Sequence, residues 1–462
     1  MEQLTKRILA IVLIAVIGTG IGITAWYFLA QPTDPYKYPG APSDHPNIIK
    51  IGCAGDTGEI QGDANWEGAY LAAKQINANG GVDVGGTTYY IGLTREDTDE
   101  SNPNLVTSRG VNAARRLIYN KKVDFALGGF RSEALLAYQE EFMDAKMIFI
   151  DTGASTDIFC TNVITNYSRY KYMFRFMPIN SSMLAKEILT TVIGVVLTLN
   201  ATFPSHDIRK VGLLAEDLTW TEGMVAFLAG YLPKSTNWTG TPWIQVLTPI
   251  RYDVTLGATD MNSHLATLQS QGADVVIPII SGQGGVLMMQ QYGLNKYDYI
   301  IFGIDVQAQL DTFWTESGES CAYETIMQTL HKTNKSATTL QFWDDFLAEW
   351  DHEPLYIAAG AYDAVYALRD AIEATDSLDT NDIIAEFETW TTGNPHPGVS
   401  GGGAWWPKSH DLVEGYPFSH TLWCQWYPDG SKKVVSGFGL YPEWMTTGAF
   451  LVPPWVNTTW SS

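Results

Sequence analysis

Positive charge is what this chain has least of. Its 462 residues carry 28 Lys and Arg against 50 Asp and Glu, a net charge of −22. A nucleic-acid partner needs a basic face to neutralise phosphates, so the balance argues against one. It argues equally against a polybasic lipid-binding surface. Cysteine is scarce as well. Cys53, Cys160, Cys321 and Cys424 include no C-x-x-C, and no Cys/His spacing suits zinc. At most two disulfides are possible, and buried free thiols fit the pattern as well.

The usual catalytic signatures are also missing. There is no H-E-x-x-H and no G-x-x-x-x-G-K. Gly398-Val-Ser-Gly-Gly matches a hydrolase elbow in letters, but that elbow joins a strand to a helix. Here it follows Pro395 and Pro397 in a glycine run and reads as a loop. Asp97-Thr-Asp-Glu opens like a calcium loop, without the glycine at its sixth position or the glutamate at its twelfth. The eight histidines show no ligand spacing. The expectation is a protein that is not an enzyme and carries no cofactor and no metal.

What is present begins with Lys6 and Arg7, followed by 23 uncharged residues from Ile8 to Ala30. Roughly 20 such residues span a bilayer. A cleaved signal peptide has a core of only about 7–15. Trp26, Tyr27 and Phe28 crowd the far end as an interfacial belt would. Residues 1–30 are therefore expected to be an uncleaved single-pass membrane anchor. The positive flank keeps the N-terminus inside and puts the rest on the extracellular or periplasmic side. Six N-x-S/T sequons, at Asn166, Asn180, Asn200, Asn237, Asn334 and Asn457, are glycosylation candidates in that location.

Residues 31–47 hold five prolines and form a linker. Beyond it, apolar strand-like runs alternate with helical ones. Ile48-Ile-Lys-Ile-Gly, Tyr89–Arg95, Phe125–Leu127 and the run at Phe149 read as strands. Helices fall near Asn65–Asn77, from Asn102-Pro103 to Tyr119, and after Ser132. The rhythm restarts after Phe174-Arg-Phe-Met-Pro, with strands at Lys210, Trp243, Asp274 and Tyr299. Such alternation gives α/β, doubly wound parallel sheets. The expected organisation is two lobes joined by a multi-crossover hinge: 48–175 plus 332–385, and 176–331 plus 386–462 with a Trp-rich C-terminal extension. The tail from about 390 carries eight of the sixteen tryptophans, which suits either core packing or a carbohydrate-binding face. Tyr427-Pro-Asp-Gly-Ser reads as a hairpin turn.

Open α/β sheets bind ligands at the C-terminal ends of their strands. Phe125-Ala-Leu-Gly-Gly-Phe-Arg-Ser and Phe149-Ile-Asp-Thr-Gly-Ala-Ser-Thr each end in a small-residue loop there, giving half of a polar cleft.

These stretches resemble a family. Ile51-Gly-Cys-Ala-Gly-Asp-Thr-Gly, Glu67-Gly-Ala-Tyr-Leu-Ala-Ala-Lys-Gln-Ile-Asn-Ala-Asn-Gly-Gly-Val, Glu96-Asp-Thr-Asp-Glu-Ser-Asn-Pro, Thr152-Gly-Ala-Ser-Thr and Phe174-Arg are similar to type I solute-binding proteins of ABC importers. The branch is the one that binds leucine, isoleucine, valine and related amino acids or amides. The resemblance runs over roughly residues 48–455. It implies a serine hydroxyl, matching Ser132, for a ligand carboxylate. It implies the loop matching Ala154 and Ser155, with Asp305, for a ligand ammonium. Trp220 stands where a closing tyrosine is common, and Ser281 departs from an expected aromatic. Arg131 is a further departure that could favour an acidic or larger ligand. Each residue also has a plainer reading: Ser132 and Asp305 as helix caps, Ser155 as a turn residue, Arg131 in a salt bridge.

The function expected is an extracytoplasmic solute-binding protein. It would capture a small amino acid, amide or related polar solute between two lobes and deliver it to the permease subunits of an ABC importer. The alternatives are a sensory ectodomain working with a partner receptor, or a surface protein using its aromatic tail.

Overall fold

Alternation of apolar strands and amphipathic helices builds two sheets. The structure, a computed structural model, describes residues 35–236, 240–255, 260–282 and 284–462. The expected N-terminal anchor and Asn237 lie outside the described residues. Both sheets belong to the unit Lys37–Ser462.

The first sheet comprises β1 (Ile48–Gly55), β2 (Val82–Val84), β3 (Thr87–Asp97), β4 (Phe125–Gly128), β5 (Phe149–Asp151) and β6 (Met173–Arg175), in the order β2-β3-β1-β4-β5-β6. All neighbours are parallel except β2, a short antiparallel edge on β3. Helices α1 (Ile60–Ala78), α2 (Thr107–Arg115), α3 (Ser132–Asp144) and α4 (Ile158–Thr165) connect them. The α2 start differs from the Asn102-Pro103 expectation. Asn102 instead accepts the Asn104 amide in a turn, and the helix begins at Thr107.

The chain crosses after Phe176-Met-Pro-Ile into α5 (Ser181–Thr202), which opens the second lobe. Here β7 (Lys210–Glu216), β8 (Gln245–Val246), β9 (Ile250–Tyr252), β10 (Val275–Ile280), β11 (Ile300–Asp305) and β12 (Thr325–Gln328) pair in parallel. Helices α6 (Thr219–Tyr231), α7 (Asn262–Ser270) and α8 (Gly285–Asn295) cover them. β10 and β11 are buried along their whole length, as strands covered on both faces must be. The hairpin β13 (Leu422–Trp426) and β14 (Lys432–Val434) then adds two antiparallel strands to β12. The architecture is α/β with two lobes. Its sheets are mixed rather than purely parallel, because a hairpin can join an edge without a crossover helix.

α5 is the one described helix long and apolar enough to cross a membrane. Its Ile188, Val192, Val195, Val196 and Leu199 are buried in the second lobe's core, and the Asn180 side chain caps it. It reads as a core helix.

After β12 the chain returns to the first lobe. Helices α9 (Thr339–Trp350), α10 (Tyr356–Thr375) and α11 (Thr380–Phe387) follow there. α10 packs so closely on α1 that a Cβ at Gly68 would lie 2.0 Å from the Ala358 carbonyl oxygen, so only glycine fits. The next stretch corrects an expectation. Residues 387–412, grouped by composition with the second lobe, pack on β6 of the first. Phe174 stacks on His410 and meets Trp405 and Phe387 edge-on. The reason is that β6 is an edge strand whose apolar side chains need cover. Only from β13 onward does the tail belong to the second sheet. Most tail tryptophans are interior, Trp423 and Trp460 among them, while Trp406 and Trp444 are exposed. The four cysteines are free and buried, and burial pushes the Cys53 and Cys424 thiols up to about 12, which makes them inert.

Arg175 fastens these parts together. It is fully buried at the end of β6. Its Nη1 donates to both Asp411 oxygens at 3.0 and 3.1 Å, its Nε to Asp151 Oδ2 at 3.2 Å, and its Nη2 to the Thr156 carbonyl. Removing one partner leaves a buried charge uncompensated, which costs about 3–5 kcal/mol. Asp411→Ala is expected to lower unfolding stability by about 3 kcal/mol or more in urea titration. Loss below about 1 kcal/mol would show that Arg175 does not depend on this partner.

Candidate functional site

The C-terminal ends of both sheets face one cavity of about 150 Å³ between the lobes. From the first lobe come Gln61 at the start of α1, Glu100 and Ser101 after β3, Phe130 and Arg131 after β4, and Gly153 and Ser155 after β5. From the second come Glu216 at the end of β7, Trp220 in α6, Ser281 and Gly282 after β10, and Val306 and Gln307 after β11. Gln328 and Thr329 close the end nearest the crossovers. Apolar Ile179, Leu184, Ile304 and Met327 make up much of the remainder.

A buried carboxylate organises each wall. Glu100 Oε2 accepts the Phe130 and Arg131 amides at 3.3 and 3.1 Å, and Oε1 accepts the Thr98 hydroxyl at 2.9 Å. Burial nevertheless pushes this carboxyl up to about 8, against the pull of those bonds. Opposite, Glu216 takes the Ser281 amide and hydroxyl at 2.9 and 2.7 Å and the Gly282 amide at 2.9 Å. Burial raises its pKa as well.

The lobes touch across the cavity. Glu133 of α3 accepts the Thr219 amide at 2.8 Å, so a first-lobe carboxylate caps second-lobe helix α6, whose own Leu218 cannot. Burial pushes Glu133 up, yet that amide bond and the nearby Arg131 more than offset it, and its pKa falls below the ordinary value. Gln61 Nε2 donates to the Ser281 carbonyl at 3.3 Å. Among the described residues, these two hydrogen bonds join the lobes across the cavity.

A family model described as periplasmic binding protein matches residues 49–420. The chain belongs to the periplasmic binding protein family. Among solved structures, this periplasmic binding protein resembles the branched-chain amino acid transporter substrate binding protein LivJ from Streptococcus pneumoniae, in complex with isoleucine. The identity is 18% and the TM-score 0.66, over 84% of this chain and 98% of that one. It also resembles a leucine binding protein, LivK, from Thermotoga maritima, at 18% identity and TM-score 0.63 over 84% and 97%. A solute binding protein of an ABC transporter from Rhodopseudomonas palustris, in complex with 3,4-dihydroxybenzoic acid, matches at 18% and 0.64 over 82% and 93%. A comparison with curated proteins finds no match. Family and fold make solute binding the role of this cavity.

Not every residue expected at the site of this binding protein reaches the cavity. Arg131, Ser155, Trp220 and Ser281 line it. Ser132 does not: its hydroxyl accepts the Thr156 amide at 3.3 Å and so ties two first-lobe loops together. Ala154 is buried, its amide held by Asp151 Oδ1 at 2.9 Å. Asp305 is also buried behind the wall, where it accepts the Gln307 amide at 3.1 Å, the capping role. Its second oxygen has no hydrogen-bond partner, and burial with neighbouring Glu216 pushes its pKa up. Arg131 donates from Nη1 to the Asn102 carbonyl at 2.9 Å, and its Nε lies 3.4 Å from Glu133. Trp220 is buried with its indole N–H outside hydrogen-bond geometry, near enough to Glu216 to favour that carboxylate electrostatically.

Glu100, Glu133 and Glu216 were not expected at the site. For Glu216 the signal exists: a carboxylate closing the apolar run Val211-Gly-Leu-Leu-Ala.

Glu133→Ala removes the cap of α6 and is expected to weaken ligand binding by about fivefold, the scale of one N-cap. Calorimetric titration checks this, and unchanged affinity would exclude a closing role. The response to pH gives a second test. Glu100 has a folded pKa near 8 against an ordinary 4.5, so the folded state holds a proton that the unfolded chain releases. Its contribution to stability is present below about pH 4.5 and is lost as pH rises through about 8. Melting of the empty protein between pH 5 and 8.5 should therefore show a smaller decline for Glu100→Gln than for the parent.

Proposed function

We propose that this protein captures a small amino acid, amide or related polar solute in the inter-lobe cavity and hands it to an ABC importer. The observation that carries the reading is the closed cavity at the C-terminal ends of both sheets. Its walls come from different lobes and meet through Glu133–Thr219 and Gln61–Ser281. Ligand binding at such a seam favours the closed state by the difference in its affinity for the two forms. A branched-chain amino acid transporter substrate binding protein in complex with isoleucine and an ABC-transporter solute binding protein in complex with 3,4-dihydroxybenzoic acid support a small polar solute as ligand. Arg131, Ser155, Trp220 and Ser281 are the contact residues in this reading. Ser132, Ala154 and Asp305 shape the loops that hold them.

The uncharged stretch Ile8–Ala30 supports a single-pass anchor that keeps the domain on the outer face, close to the permease. Of the described sequons, Asn166, Asn334 and Asn457 are exposed and suited to carry glycans. Asn180 and Asn200 are not, since their side-chain nitrogens donate to Asp411 and to the Val196 and Ile208 carbonyls.

A thermal-shift screen of the full-length chain against amino acids, amides and aromatic acids tests the proposal. A specific ligand stabilises the native state by about 2.7 kcal/mol at a hundred times its Kd. A hit is expected that quenches tryptophan fluorescence and is lost in Trp220→Ala. Retention of full affinity by that variant would place the ligand elsewhere.

A further inference from the structure

We propose that the ligand of this cavity is an organic cation, an amine or quaternary ammonium on an apolar body, carrying no free carboxylate. The proposal rests on the reading that the cavity binds a solute and narrows its chemistry.

A carboxylate ligand wants backbone amides and a free cation. The protein has used them on its own carboxylates. The Phe130 and Arg131 amides are bound by Glu100, and the Ser281 and Gly282 amides by Glu216. Arg131, the one cation lining the cavity among the described residues, is engaged by Asn102 and Glu133. An entering carboxylate would meet these occupied amides beside two buried carboxyl groups, with the Arg131 Nε and the Trp220 indole N–H as unpartnered donors among the lining residues.

A cation meets the reverse. Glu100 and Glu216 are buried, line the cavity and form no ion pair among the described residues. Each Oε1 accepts a single bond, so each retains acceptor capacity. Glu59 adds a carboxylate at the rim. Burial without a counter-ion holds the Glu100 carboxyl protonated in the empty protein, and a ligand cation beside it supplies the counter-ion that lets it ionise. Two further observations point the same way. Gln328, 3% exposed and lining the cavity, has an Oε1 with no hydrogen-bond partner, an acceptor for an N–H group. The aromatic rings of Phe130, Trp220 and Tyr356 line the same space and can face a cation. The apolar side chains at Ile179, Leu184 and Met327 would take the ligand's body.

The test is a matched series on one apolar body, titrated into the full-length chain by thermal shift and tryptophan fluorescence: 3-methylbutylamine, leucinamide, leucine and 4-methylpentanoate, with benzylamine against benzoate as a second pair. The amines and leucinamide should bind, leucine about tenfold more weakly, and the two carboxylic acids not at all. Glu100→Gln should weaken amine binding by about tenfold. Glu59→Gln, at the exposed rim where folding does not depend on it, should weaken it about twofold. Binding of 4-methylpentanoate or benzoate as tight as that of the matched amine would overturn the proposal, as would amine affinity unchanged in both variants. No binding by any amine also overturns it. In that case a hit from the wider screen of amino acids, amides and aromatic acids would leave the solute-binding reading standing, and silence there as well would remove both.

Discussion

The ion chain Asp151–Arg175–Asp411 is the interaction on which the first lobe's wall depends. Asp151 sits at the end of β5, and one of its oxygens accepts the Gly153 and Ala154 amides while the other meets Arg175. Arg175 in turn holds the Thr156 carbonyl and reaches Asp411 in the returning tail. The loop 152–156 is therefore fixed from below by a buried charge network, and the Ser155 carbonyl adds bonds from the Ser181 amide and hydroxyl, each at 2.8 Å. A network of this kind stabilises little in net terms, because desolvation offsets most of the attraction. Its effect is on which arrangement the loop adopts.

The same economy is used twice in the cleft. A buried glutamate gathers the free amides at one strand end of the first lobe, and another does so in the second. Gly128 shows how tight the first of these ends is. Its φ is +142° and an added Cβ would lie 1.9 Å from the Ala54 carbonyl oxygen, so only glycine fits where β4 turns into its loop. Between the lobes the crossovers are joined by Lys335, whose buried ammonium donates to the Thr329 and His420 carbonyls beside Glu187 and Asp363. The hinge is polar at its centre, with one ammonium shared by two of the crossing segments.

Much of the fold is legible in the sequence, because period-2 and period-3.6 patterns are strong where strands are buried and helices amphipathic. β7, β10 and β11 fall within a few residues of where the apolar runs put them. β12 is not, since its four residues follow a turn-rich stretch and carry no alternation long enough to register. Between 387 and 412 composition assigns the tail to the wrong lobe, because it shows that tryptophans will be buried but not against which edge. At the site, strand ends are readable and side-chain direction is not. Asp305 and Glu216 each close an apolar strand, yet one lies behind the wall and the other on it. That difference is set by strand phase and twist, which a single sequence does not carry.

The bond from Glu133 to Thr219 is made only when the lobes meet. It cannot help a solute arrive, since in an opened cleft the carboxylate and the helix amide are apart and hydrated. It acts on departure: the cap must break before the cavity opens, so the bond lengthens the lifetime of the filled complex and leaves the capture rate untouched. A protein that must surrender its cargo to a partner needs that lifetime to be adjustable from outside. A carboxylate at the seam between lobes is a contact that a docking partner can pull apart without entering the cavity.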